Sequence, residues 1–291
     1  MPDTNNFVIA SRWIVPVIPN GVCYDHHAVV TSGERIIEVL PGVDAARKYP
    51  AFEVIDLPNH ILTPGLVNAH GHAAMTLLRG YSDDRELMDW LENHIWPVEA
   101  KFVNEDFAYD GTALAIAEMI RTGTTCAADT YFFPDVTARA YADHHFRAQV
   151  GLPVLQFANA WAQDEEDHIR KALRVHDSLR DSPLITTAFA PHAPYTVTDD
   201  GFRSIRQHAE ELDIPIHLHL HETRAEVDAA LAESGMRPFK RMSALGLMTP
   251  NLQTVHMTQL TDAEINQLAV HGVHVAHCPE SNLKLASGFC R

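Results

Sequence analysis

Two short stretches of the chain space histidines two residues apart in apolar surroundings. The first is Pro64-Gly65-Leu66-Val67-Asn68-Ala69-His70-Gly71-His72. In an extended strand, residues i and i+2 point to the same side, so His70 and His72 can aim two imidazoles at one ion, and Gly71 leaves room between them. The second is Pro215-Ile216-His217-Leu218-His219-Leu220-His221-Glu222. Its alternation puts three histidines on one face, and Glu222 falls just past the strand end, where a carboxylate could work on a bound molecule. Neutral imidazoles at such positions suit a catalytic metal, which keeps three protein ligands and an open position. His219 is the best third ligand beside His70 and His72. His217 would sit deeper, and His221 would be a pocket group or an outer support.

Two weaker signals accompany these. Thr254-Val255-His256 ends another apolar run, and Ala190-Pro191-His192-Ala193-Pro194-Tyr195 follows a further one. His256 becomes a candidate for orienting an attacking water. The prolines around His192 stiffen a loop, which suits a residue that contacts substrate.

Positioning these groups requires strands that end at a common place. From Leu62 onward, short apolar runs alternate with segments of helical periodicity, the pattern of βα units on a parallel sheet. The reading expects strands at 64–69, 124–129, 150–157, 184–190, 214–220, 253–256 and 273–277. Helices are expected over Phe107–Arg121, Ile169–Leu179, Phe202–Leu212, Ala225–Leu231 and Ala263–Val270. A barrel of this type places its active site at the C-terminal strand ends. Residues 1–62 read instead as a small β subdomain, with β-like runs at 15–21, 28–30, 35–39 and 53–56 separated by Asn-Gly, Ser-Gly and Pro-Gly breaks. The barrel is expected over 63–291.

Composition narrows the classes. The chain has 291 residues, 46% of them hydrophobic, enough for a large core, and a net charge of −16 that repels phosphate backbones and argues against nucleic acid. No apolar run is long enough for a membrane span, and the N-terminus does not read as a secretory signal. Four scattered cysteines without a CxxC suggest a reducing, cytoplasmic setting. A cytidine-type deaminase needs PCxxC beside its HxE, and only His208-Ala209-Glu210 is present. A zincin protease needs HExxH, which does not occur.

PGLVNAHGH, APHAPYT, HLHLHET, TVHM and HCPESNLKLASG occur in that order. Together they resemble the amidohydrolase superfamily, and within it the 5-methylthioadenosine/S-adenosylhomocysteine deaminases, grouped with triazine hydrolase-like enzymes. The resemblance runs from about Val54 to Gly288. It implies a (β/α)8 TIM-type barrel with a small N-terminal β-sandwich subdomain. It implies one zinc ion, or iron or manganese, on His70, His72 and His219. Glu222 would be the acid/base at the purine ring, His256 would hydrogen-bond the water, and His192 would contact substrate. Trp90 and Glu99 match the places where the family packs the base and binds the ribose hydroxyls. Arg147 is a candidate partner for a substrate carboxylate. The implied reaction is hydrolytic deamination of an adenosine-type nucleoside by a homo-oligomer. Guanine or cytosine deamination, triazine hydrolysis and a non-catalytic barrel are the alternatives.

Two departures from the family pattern shape these expectations. The family's last ligand is an Asp at the end of an eighth strand, beyond SNLKLASG, whereas this sequence runs three residues past that motif, to Arg291. The reading therefore expects seven of eight strands and weak or no turnover by the isolated chain. Members with two metals bridge them with a lysine near the fourth strand. No lysine lies between Lys171 and Lys240, so one metal is expected.

Overall fold

The computed structural model describes residues 5–291. The chain forms two compact units, one up to Leu66 and the other Val67–Arg291.

The first unit is a five-stranded sheet of β1 (Asn6–Ile14), β2 (Tyr24–Asp25), β3 (His27–Ser32), β4 (Arg35–Pro41) and β5 (Glu53–Leu62). Its order is β2-β1-β3-β4, and β5 pairs with β1 in parallel. Helix α1 (Gly42–Lys48) buries Ala45 against Val8, Ala28 and Val30. The unit is thus one sheet backed by a helix. The expected strand over 15–21 is not formed, and the chain there runs through bends and a turn. Pro16 and Pro19 remove two ladder donors, so the ladder uses Asn6–Ile14 just upstream.

The second unit is built on seven strands: β6 (Leu66–Gly71), β7 (Thr124–Thr130), β8 (Arg147–Val154), β9 (Ile185–Pro191), β10 (Ile216–Leu220), β11 (Leu252–His256) and β12 (His274–Ala276). They hydrogen-bond in sequence order, β6 to β12. The sheet curls on itself. Gln149 of β8 reaches Gln253 of β11 at 2.8 Å, and His70 of β6 reaches His217 of β10 at 2.8 Å. Leu152, Phe189, Leu218 and Leu220 are fully buried, as strands covered on both faces require.

Helices α2 (Leu87–Trp90), α3 (Trp96–Phe102), α4 (Glu105–Arg121), α5 (Pro134–Asp143), α6 (Glu165–Leu179), α7 (Asp199–Leu212), α8 (Arg224–Ser234), α9 (Pro238–Ala244), α10 (Asp262–His271) and α11 (Pro279–Lys284) connect these strands. Five of them begin at a side-chain cap. Asn104, Asp164, Thr198, Thr223 and Thr261 accept from the backbone N–H three residues on. Each is followed by acidic first-turn residues that favour the positive helix end, so helices start ahead of the first apolar residue. Helix α5, absent from the expected set, buries Val136, Thr137, Ala138, Ala140 and Tyr141.

One close approach controls how the chain leaves β6. After His72 it enters a 3₁₀ turn, Ala73–Leu78, on which α4 packs through Gly111. A Cβ on Gly111 would lie 2.8 Å from Ala74 Cα and 3.0 Å from its carbonyl carbon. Both partners are buried backbone, so neither can swing away. Gly111→Ala is expected to lower stability by about 1–3 kcal/mol, read as the urea unfolding midpoint. An unchanged midpoint would mean that α4 and the turn are not in backbone contact.

Candidate metal centre and active site

His70, His72 and His219 each offer one ring nitrogen to a group whose atoms all lie within 4.8 Å of one another. The hydrogen bonds behind the rings show which nitrogen. His72 Nδ1–H donates to the Thr130 carbonyl at 2.6 Å, and His219 Nδ1–H to the His192 carbonyl at 2.6 Å. A carbonyl oxygen only accepts, so both rings must carry their proton on Nδ1, leaving a bare Nε2. His219 Nε2 and His70 Nε2 face each other at 3.1 Å. Two lone pairs at that distance repel unless a cation or a proton sits between them. Burial and the neighbouring imidazoles hold His70 and His219 well below the ordinary histidine pKa, and burial lowers His72. Three neutral donors converging from buried strands fit a divalent ion.

Glu222 follows β10 on a turn in which His221 adopts φ +52°. The Glu226 carboxylate holds this turn, accepting from His221 N at 3.0 Å and Glu222 N at 2.7 Å. Thr258, just past β11, ties down the same turn by donating to the Glu222 carbonyl at 2.8 Å. Burial first, then the nearby Glu226, pushes the Glu222 carboxyl up to about 8. His256, at φ +75°, is pushed down to about 4, mainly by burial. Its Nδ1–H donates to Asn282 Oδ1 at 2.8 Å, so its Nε2 accepts. Glu222 Oε1 lies 3.3 Å from that nitrogen, and at neutral pH the contact is a neutral acid donating to a neutral imidazole, not an ion pair.

These groups line a cavity of about 640 Å³. Trp90 and Glu99 line it too, carried by α2 and α3 on either side of a five-residue π-helical turn, Leu91–Ile95. Glu99 is 8% exposed and burial raises it to about 7, while Tyr131 O–H donates to Glu99 Oε1 at 2.8 Å. His192 also lines the cavity, burial lowers it to about 4, and its Nδ1 lies 3.1 Å from Thr196 Oγ1.

The structure thus brings His70, His72, His219, Glu222, His256, His192, Trp90 and Glu99 to one cavity. It does not bring Arg147 there. Arg147 opens β8 at its N-terminal end, with an exposed side chain, whereas the cavity lies at the C-terminal strand ends. His217 sits beneath His70, and His221 accepts from Phe239 N at 3.1 Å, a support for α9. Tyr131 and Trp96 belong to the cavity without having been expected. Tyr131 carries a readable signal, since it directly follows the β7 strand end.

Fold and cluster together define an α/β barrel with a metal-competent site at its C-terminal mouth. Residues 61–291 match the amidohydrolase family, and the chain belongs to that family. It is 50% identical over 287 residues to a 5-methylthioadenosine/S-adenosylhomocysteine deaminase from Saccharophagus degradans, covering 98% of this chain and 64% of that one. It superposes with TM-score 0.95 and 51% identity on the crystal structure of an adenosine deaminase from Xanthomonas campestris with bound zinc, covering all of this chain and 66% of that one. A zinc complex of atrazine chlorohydrolase from Arthrobacter aurescens shares the fold at TM-score 0.89 and 18% identity, with 97% and 68% covered. The chain therefore spans just under two thirds of the length of the first two relatives. No helix in the described residues is long and apolar enough to cross a membrane.

The buried ionisable groups dictate how stability varies with pH. Eight histidines are held below their ordinary value. Below 6.5 they bind protons only when unfolded, so their contribution is lost as pH falls. Four carboxyls, Glu99, Asp129, Glu222 and Glu226, are held up at about 7, 6, 8 and 7. They keep protons that the unfolded chain releases, so their contribution is lost as pH rises toward those values. Below 6.5 the histidines outnumber the carboxyls, and above it only the carboxyls act. The metal-free chain is expected to be most stable near pH 6.5, with Glu222→Gln flattening the alkaline side. Urea midpoints across about pH 5–9 check this, and stability climbing steadily to the alkaline end would contradict it.

Proposed function

We propose that this chain carries the metal site and substrate cavity of a zinc-dependent aminohydrolase. Its substrate would be an adenosine-type nucleoside such as 5-methylthioadenosine or S-adenosylhomocysteine. The observation that carries this reading is the meeting of one ring nitrogen from each of His70, His72 and His219 with Glu222 and an accepting His256 in one cavity. The names and zinc content of the relatives support it.

His70, His72 and His219 would hold the ion. A bound zinc ion supplies Lewis acidity and lowers the pKa of water at the site toward ~7. Deamination adds water to the ring carbon bearing the amino group, then breaks that C–N bond to release ammonia. The aromatic amine leaves only if the adjacent ring nitrogen is protonated. Glu222, neutral at pH 7, carries the proton for that nitrogen. Once ionised it accepts a proton from the added water and passes it to the departing amine, and it regains its own proton from the added hydroxyl as the C–N bond breaks and the carbonyl forms. General acid–base help of this kind contributes about 10²–10⁴ in rate. His256, fixed by Asn282 with Nε2 as acceptor, orients the attacking water by accepting one of its hydrogens.

Trp90 donates its indole N–H to the Ser82 carbonyl at 3.0 Å, which fixes its ring as an apolar wall for the base. Glu99, oriented by Tyr131, accepts from ribose hydroxyls. A free base such as guanine, or a triazine, lacks the ribose hydroxyls from which this buried carboxylate would accept.

Offered separately to the zinc-loaded chain, 5-methylthioadenosine, S-adenosylhomocysteine and adenosine are expected to raise its thermal midpoint. Whatever ammonia is released should come from them and not from guanine or melamine. Glu99→Gln should weaken nucleoside binding while leaving adenine binding unchanged. Glu222→Gln should cut turnover by about 10²–10⁴ with little change in binding. Turnover of a triazine or guanine with no response to nucleosides would overturn the assignment.

A further inference from the structure

Beneath the three imidazoles the barrel interior holds a line of polar side chains that the proposed chemistry does not use. Gln149 and Gln253 form a reciprocal amide pair, with Nε2 of Gln149 donating to Oε1 of Gln253 at 2.8 Å and the return bond at 3.2 Å. Gln253 Oε1 also lies 3.0 Å from Nδ1 of His217, its register partner on β10. His217 Nε2 lies 2.8 Å from His70 Nδ1, with the two rings stacked at 14°. The line ends at His70 Nε2, 3.1 Å from His219 Nε2.

One nitrogen of a neutral imidazole donates and the other accepts, so this line has only two consistent directions. In the first, His217 Nδ1–H donates to Gln253 Oε1, His70 Nδ1–H donates to His217 Nε2, and His70 Nε2 presents a lone pair. In the second, both amides are turned over. Gln253 Nε2 then donates to His217, His217 Nε2–H donates to His70 Nδ1, and a proton on His70 Nε2 occupies the place of the ion. The other two ligands have no such freedom, because each is held by a backbone carbonyl. His70 alone takes its proton sense from side chains.

The geometry points to Gln253, oriented by Gln149, as a positioning residue that fixes the tautomer of His70 through His217 and thereby sets the metal affinity of the site. This rests on the reading of His70, His72 and His219 as metal ligands.

The test compares two substitutions in the 291-residue chain. Gln253→Met keeps the length but removes the acceptor. Gln253→Glu can only accept, so it permits only the metal-ready direction. Zinc affinity by chelator competition is expected to fall at least about tenfold in Gln253→Met and to match or exceed that of the unaltered chain in Gln253→Glu. The thermal midpoints of the metal-free proteins are measured alongside. Wild-type zinc affinity in Gln253→Met overturns the proposal, as does an equal loss in both variants that follows their midpoints. Nitrogen chemical shifts of ¹⁵N-labelled histidine in the unaltered chain test the relay even if a variant fails to fold. With zinc bound, His217 should show the Nδ1–H form, and Nε2–H there overturns it. A chain that binds no zinc at all but shows Nδ1–H at His217 and His70 would refute the ligand assignment and leave the relay standing.

Discussion

The site depends on where three imidazoles place their protons. Each of His70, His72 and His219 has its Nδ1 within hydrogen-bond reach of a partner behind it: a histidine nitrogen for the first and backbone carbonyls for the other two. The Nε2 lone pairs of His72 and His219 therefore point into the site because carbonyl acceptors are fixed behind the rings, not because the rings are near each other. Strand ends supply those acceptors. Thr130 closes β7 and His192 directly follows β9, so the curvature of the sheet and the direction of the lone pairs are one geometric fact.

The same architecture keeps an acid and a neutral base side by side. Glu222 and His256 leave adjacent strands, and burial acts on them in opposite senses, raising the carboxyl and lowering the imidazole. Neither carries charge near neutral pH, so their contact costs little desolvation. Left-handed backbone recurs in this corner, at His221, His256 and Met257. At His221 it is held by Glu226 and Thr258, whose bonds go to main-chain groups of His221 and Glu222. Strain of this kind persists only where its surroundings over-determine it.

Much of this was legible in the sequence because it follows from a period of two. Alternation in a buried strand puts His217 and His219 on one face, and the strand-end rule adds Glu222, His256 and His192, whereas His221, expected on the same face, lies past the strand end at φ +52° and turns to α9. What was not legible depends on partners far apart in the chain. Gln149 and Gln253 form no motif, and only the curl of the sheet makes them a pair. Tyr131 matters through Glu99, 32 residues away. Arg147 shows the opposite failure. Its charge suggested a carboxylate partner, but its place at the start of a strand puts it at the wrong end of the barrel. Strand starts shifted where proline intervened, as at Pro16 and Pro19.

The three donors divide unevenly along the polypeptide. His70 and His72 are two residues apart, whereas His219 lies 149 residues from His70. An unfolded chain can offer an ion only the first two, and closing so long a loop for a third is entropically unfavourable. The chelate exists only once β6 and β10 are both in place. Occupancy would therefore slow the departure from the native state far more than it hastens arrival there. Metal at this centre would act as a latch on a finished barrel, not as a seed for building one.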